Sequence, residues 1–293
     1  MNGVLLTERT DDGDGRGALY RAEAGGSRDS GDRPRGSPGV NAALSVLELL
    51  VARGPLALSD IAQELGLAKS TLHRIGSVLV ERGWASRDED GRFALGIRAL
   101  GVGARAGDLP IITAFRRAAS SILTRHDETV CLAVVDGDES VFIAVEETSQ
   151  PVRLVTHVGS RTPAFASASG RVTLAARPAE SVDGEYGGRP LVTPTGRRLR
   201  GVSELHEILD DVRRDGFAEN HEETAIGLYA VSIPVHNASG VVLAAITICV
   251  PTSRMSPERR ELLVADLREA GRQLSADVAW LPAHNARRAE APR

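Results

Sequence analysis

Residues 59–82 limit this chain more than any other stretch, because two amphipathic helical patterns meet there across a short Gly66-Leu67 turn. Ser59 is a good N-cap for the first pattern, which turns Ile61, Ala62 and Leu65 inward and stops at Gly66. The second covers residues 68–82. Its Leu72, Ile75 and Leu79 recur at three- and four-residue steps and share one face, and Gly83 ends it. An earlier helix is predicted from about residue 40, with Leu44, Leu47, Leu50 and Val51 on one apolar face and Gly54-Pro55 as its stop. Beyond residue 83, Trp84-Ala85-Ser86 and Phe93-Ala94-Leu95 read as short strands about an Asp90-Gly91 hairpin turn. Helix, helix, turn, helix and hairpin in this order make a winged helix-turn-helix plan.

In that plan the third helix lies in the major groove with its first turn toward the base edges. The residues there are Lys69, Ser70, Thr71, His73 and Arg74, interleaved with the apolar Leu72 and Ile75. Short hydroxyls and long cations on one side and aliphatics on the other are what base readout requires. Arg87 and Arg92 on the wing are further candidates for DNA contact, although Asp88, Glu89 and Asp90 turn the tip itself away from phosphates. The whole chain carries a net charge of −4, so attraction to DNA must come from a local patch. That patch is mildly basic, and affinity is expected to lean on a homo-oligomer, a dimer or a tetramer, that doubles the contacts. Only 3% of residues are aromatic, which argues against a single-strand stacking surface. The alternative is a winged helix that binds protein, with Lys69 and Arg74 merely solvated.

The rest of the 293 residues has room for a second domain. Residues 1–39 are rich in Gly, Asp, Arg and Ser without apolar periodicity and read as a disordered tail, as do residues 283–293. The winged helix occupies 40–96, a linker helix 97–109 and a larger domain 110–282. In the latter, residues 130–135, 140–145, 153–157, 230–235 and 241–250 read as strands, with hairpin signals at Asp136-Gly137 and Ser239-Gly240. Helices fit 168–176, 203–215 and 257–279, and 177–200 reads as a loop. Hairpin-paired strands with flanking helices imply an antiparallel sheet packed by helices, so the chain as a whole is α+β. Cys131 and Cys249 sit in apolar runs and read as buried small hydrophobes. The longest apolar run, residues 241–250, is too short to span a bilayer, and no signal peptide is evident. A cytoplasmic location without membrane partners is expected.

Ser167-Ala168-Ser169-Gly170 opens a helix with small residues, an arrangement that suits a carboxylate at the helix start. Plain N-capping is the competing reading. Asn220 and Ser232 are candidates for the opposite wall, since an amide offers both donor and acceptor. Glu219, His221, Glu222 and Glu223 are too nearly contiguous to converge on one metal ion, and pairing of a glutamate with Arg213 or Arg214 is the simpler expectation. No Gly-x-Ser-x-Gly elbow accompanies Ser167 or Ser169, so neither catalytic residues nor a cofactor are expected.

These segments carry a family resemblance. Residues 59–75, SDIAQELGLAKSTLHRI, resemble the helix-turn-helix of IclR-family transcription regulators. Phe93-Ala94-Leu95-Gly96 resembles the strand after their wing, and Glu128-Thr129-Val130 the entry to their effector domain. Residues 159–175, GSRTPAFASASGRVTLA, and 213–234 resemble two further family segments, and the likeness spans about residues 40–282. It implies a GAF-like or profilin-like C-terminal domain, dimers or tetramers, and control of double-stranded operator DNA by a small-molecule effector, often an organic acid or aromatic metabolite. It adds Ala230 to the effector-binding candidates Ser167, Ala168, Ser169, Gly170, Asn220 and Ser232. Three residues depart from the pattern near that pocket: Arg171 for the usual Lys, Asn220 where Asp is common, and Ala230 where Cys or a small polar residue is frequent.

Overall fold

The computed structural model describes Leu6–Thr7 (β1) and residues 37–282, which form two compact units. Most of the expected N-terminal tail and all of 283–293 lie outside the described residues. Within the tail, β1 is a short strand and Pro38 already opens the first helix.

Residues 37–108 make one unit. Its helices are Pro38–Arg53 (α1), Leu58–Leu65 (α2) and Lys69–Glu81 (α3), followed by strands Ala85–Arg87 (β2) and Phe93–Leu95 (β3) and helix Ile97–Ala106 (α4). Val46, Leu50, Ile61, Leu72, Leu79 and Phe93 meet in its core. The face expected of α1 is only half right. Leu50 is buried, but Leu44 and Val51 are 52% and 67% exposed, and Val46 takes the inward place. Ser59 is not the cap of α2 either. Ala57 holds that position, and the Ser59 hydroxyl reaches only the neighbouring Asp60 carboxylate. Leu56 exchanges two backbone hydrogen bonds with Phe93, an isolated bridge on the edge of β3.

Residues 109–282, with β1, make the other unit. Helix Pro110–His126 (α5) leads into Thr129–Asp136 (β4) and Glu139–Glu146 (β5). Arg153–Leu154 (β6) and Arg161–Pro163 (β7) follow, then Ala168–Ala175 (α6), Ala179–Tyr186 (α7) and Val202–Asp215 (α8). The unit ends with Ala218–His221 (β8), Leu228–His236 (β9), Val242–Pro251 (β10) and Pro257–Val278 (α9). One antiparallel sheet runs β7-β5-β4-β10-β9-β8. Period-two alternation splits its faces: on β10, Ala245 and Cys249 join one apolar cluster with α6, α7 and α8, while Ile246, Ile248 and Val250 join the other with α5 and α9. The strand expected over 153–157 stops at Leu154, and the loop expected over 177–200 contains α7, whose Val182 and Tyr186 are buried. At one end of the sheet the Glu128 carboxylate, 1% exposed, is held by Arg254 and Arg259 and ties the start of β4 to the approach of α9.

Candidate functional site

Two surfaces concentrate chemistry, one in each unit. In the smaller unit α3 points Leu72, Gly76 and Leu79 into the core and Lys69, Ser70, Thr71, His73 and Arg74 outward, all exposed. None of these five outward side chains has a hydrogen-bond or ion-pair partner among the described residues. Ser77 continues the same face one turn on, as the spacing 70, 73, 74, 77 would have told. On the wing, the Arg87 guanidinium lies 4.5 Å from the centroid of the Phe93 ring, so it is held against the body rather than extended. The Asp88 carboxylate accepts the N–H groups of Asp90 and Arg92 and closes the turn, while Glu89 and Asp90 stay exposed at the tip. The face is thus a polar, lightly cationic ridge one helix wide, with an acidic knob beside it.

In the larger unit a small cavity of about 30 Å³ lies between the sheet and the start of α6. Ser167, Ala168 and Ser169 form one wall, and Asn220, Thr224 and Leu228 another. Phe142, Leu154, Thr162, Ala230, Thr247 and Cys249 complete it, so the lining holds hydroxyls, one amide and one thiol but no charged side chain. Gly170 and Ser232, both expected here, are not part of the lining. A Cβ on Gly170 would come within 2.2 Å of the Ala164 carbonyl oxygen, so this glycine lets α6 dock on the preceding loop. The Ser232 hydroxyl is engaged with Thr247 and the Ile246 carbonyl.

The helix start is capped, with two N–H groups left over. The Ser167 hydroxyl accepts the Gly170 N–H, an ordinary N-cap. The N–H groups of Ala168 and Ser169 remain without a backbone partner and belong to residues that line the cavity. Asn220 is less free than expected: its amide donates to the Ala166 carbonyl and its oxygen accepts the Glu223 N–H. Thr224, which no sequence signal singled out, is buried at the wall and its hydroxyl has no partner among the described residues.

The charges near the cavity are paired off. Arg171 does turn inward and is 4% exposed. It binds the Glu223 carboxylate at 2.6 Å and the carbonyls of Phe165 and Glu219. Glu219 is held by Arg260 and the Tyr229 hydroxyl. Burial alone would raise the Glu219 carboxyl, but those bonds outweigh it and leave it lowered. Burial, then the Glu219 bond, pushes the Tyr229 phenol up. The expected pairing of this cluster with Arg213 or Arg214 does not form, since those residues bind Asp210, Asp211 and Asp215 on their own helix and its end. Among the described residues no three His, Cys, Asp or Glu side chains gather as metal ligands. The thiols of Cys131 and Cys249 are free and buried, and contact with Cys249, then burial, pushes the Cys131 thiol well up.

Two family models match this chain. The IclR helix-turn-helix domain covers residues 40–89, and the bacterial transcriptional regulator IclR C-terminal domain covers residues 104–276. The chain belongs to the IclR family of transcriptional regulators. Among its IclR relatives is the HTH-type transcriptional regulator KdgR of Escherichia coli (strain K12), 30% identical over 248 residues, which span 82% of this chain and 94% of that one. An IclR regulator from Alicyclobacillus acidocaldarius superimposes with a TM-score of 0.74 at 27% identity, over 83% of this chain and 99% of the other. An IclR homolog from Microbacterium hydrocarbonoxydans, crystallised with 4-hydroxybenzoate, shares the fold with a TM-score of 0.70 at 24% identity, over 83% and 100% of the two chains. As an IclR regulator the chain pairs an N-terminal winged helix-turn-helix with a C-terminal effector domain, the α+β arrangement expected of it. Among the described residues no helix is long and apolar enough to cross a membrane.

Proposed function

We propose that α3 reads operator DNA through Lys69, Ser70, Thr71, His73 and Arg74, with Arg87 and Arg92 beside it, and that the cavity at α6 takes a small organic acid that alters operator affinity. The observation that carries the first part is the five-residue outward set on the leading turn of α3, free of protein partners while its apolar neighbours anchor the helix. Major-groove readout needs side chains that are uncommitted in the free protein and a helix that cannot roll. The wing contributes to positioning, with its acidic tip away from phosphate.

For the effector, the open N–H groups of Ala168 and Ser169 present the positive end of a helix to a cavity whose lining has no charged side chain. That arrangement favours an anion of low charge, and the Thr224, Ser167 and Ser169 hydroxyls and the Asn220 amide suit its polar atoms. Ala230 and Leu228 supply an apolar stretch of wall. Gly170 and Ser232 shape the wall from behind. The 4-hydroxybenzoate held by the Microbacterium homolog is of this chemical class. The protein works in the cytoplasm as a sensor rather than an enzyme, in keeping with relatives named as transcriptional regulators.

Operator binding requires a homo-oligomer, and α1 supplies a face for it. Val40, Leu44 and Val51 are each at least half exposed on one side of α1, and Ile97 and Val102 are exposed on α4. Two copies joined there would set two recognition helices about one DNA turn apart.

Fluorescence anisotropy with duplex DNA at rising salt tests the reading. Phosphate-driven binding falls steeply as salt rises. A complex indifferent to salt would favour a protein-contact role for the winged helix. A thermal-shift screen of carboxylate metabolites, with 4-hydroxybenzoate included, tests the effector, because a ligand of the native state raises Tm.

A further inference from the structure

The cavity is narrow as it stands. At about 30 Å³ it accommodates little more than a water molecule, far less than an organic acid needs. Its two walls are also bound directly to each other. The loop before α6 and α6 itself form one wall, and the turn between β8 and β9 forms the other. Across them Asn220 donates to the Ala166 carbonyl, and Arg171 on α6 binds the Glu223 carboxylate and the Glu219 carbonyl. The turn itself is strained: Glu222, not a glycine, has φ of 57°. The bonding of the walls is also incomplete, because one terminal nitrogen of the buried Arg171 guanidinium has no hydrogen-bond partner. From its outer side, Glu223 is gripped by Arg197, which in turn binds Glu204 on α8.

We propose that Arg171, Glu223 and Asn220 form a clasp that holds the walls of the effector cavity together, and that release of this clasp widens the cavity enough to admit a ligand. The inference rests on the reading of the cavity as the effector site and adds how that site is gated. A ligand that fits only the open state has its apparent affinity reduced by the fraction of molecules that are open. Arg171 and Glu223, which are not part of the lining, therefore set affinity without touching the ligand. Because Glu223 also anchors Arg197 and, through it, α8, opening frees a segment that lies outside the cavity. Arg171 suits the clasp, since its planar guanidinium reaches the Phe165 carbonyl, the Glu219 carbonyl and Glu223 together.

The two cysteines supply an internal gauge. Cys249 lines the cavity, whereas Cys131 is buried beside it and is not part of the lining. Methyl methanethiosulfonate is added to the full-length protein, in Cys131→Ala and Cys249→Ala backgrounds that leave one thiol each, and modification is followed by mass. Glu223→Gln removes the charge that joins the walls and should speed Cys249 labelling by roughly ten-fold or more, while Cys131 labelling stays slow. Arg171→Lys keeps the ion pair but loses the carbonyl bonds, and should accelerate Cys249 to a lesser degree. It decides the matter if Glu223→Gln does not fold. Equal acceleration of both thiols would mean general loosening, and an unchanged Cys249 rate in both variants would mean no clasp; either result overturns the proposal. Labelling needs neither ligand nor DNA, so it stands apart from the effector screen, whose failure would sink the reading of the cavity itself.

Discussion

Gly76 is buried in α3 against the Phe93 ring, and a Cβ there would approach that ring to 2.6 Å. Phe93 is 1% exposed and ties the wing to Leu56, so it has little room to retreat. Gly76→Ala gains helix propensity but overpacks the core, and should destabilise the smaller unit by about 1–3 kcal/mol, read from urea unfolding. Arg74 is the opposite kind of residue, exposed and uncommitted. Arg74→Ala should leave the melting temperature unchanged and weaken specific DNA binding by about 1–3 kcal/mol if its guanidinium makes a bidentate base contact. Asp127 accepts hydrogen bonds from Thr148, the Ser149 backbone and side chain, and Gln150, which hold its carboxyl at about 2. A depressed folded value means stability that is present above the unfolded value near 4 and lost as pH falls toward 2. Asp127→Asn should therefore flatten the acid limb of the stability profile in that window, as circular dichroism at graded pH would show. A profile that keeps its slope in the variant would contradict this assignment.

At the scale of elements, legibility followed apolar periodicity. The helices α3, α8 and α9 and the strands β4, β5, β9 and β10 were readable because burial on one face or both writes a clear pattern into them. The missed elements lack it. Both outer strands of the sheet were invisible: β7 is Arg161-Thr162-Pro163, with a proline that only an edge tolerates, and β8 is Ala218-Glu219-Asn220-His221, polar after its first residue. Helix α7 carries Gly184 and two flanking glycines, so its local preference is poor and the burial of Val182 and Tyr186 holds it in place. These omissions explain what was missed at the cavity. Thr162 sits on β7 and Thr224 in the turn after β8, while Ser167, Ala168 and Ser169 were found because a run of small residues opened a readable helix. The wing offers a test at this scale. Its acidic tip should oppose DNA, so Glu89→Gln with Asp90→Asn should tighten non-specific binding at low salt, with the gain fading as salt rises.

For the molecule as a whole, an amphipathic pattern cannot say whether an apolar face meets its own core or another chain. The α1 pattern merged both: Leu50 faces inward, while Leu44 and Val51 face out. The order of winged helix and sheet domain was legible in the sequence, whereas assembly was legible only as a need, because −4 net charge and a lightly basic α3 call for doubled contacts. Leu44→Glu with Val51→Glu should shift the protein toward monomer in light scattering and reduce the salt slope of DNA binding, since one protomer neutralises fewer phosphates.

The central claim, that the first turn of α3 reads bases, is tested most directly by selecting duplexes from a randomised pool with the wild-type protein and with Arg74→Ala. A two-fold symmetric motif should emerge for the wild type, and the variant should lose preference at one position in each half-site while keeping the others. Identical motifs from both proteins, or no enrichment by the wild type, would contradict it.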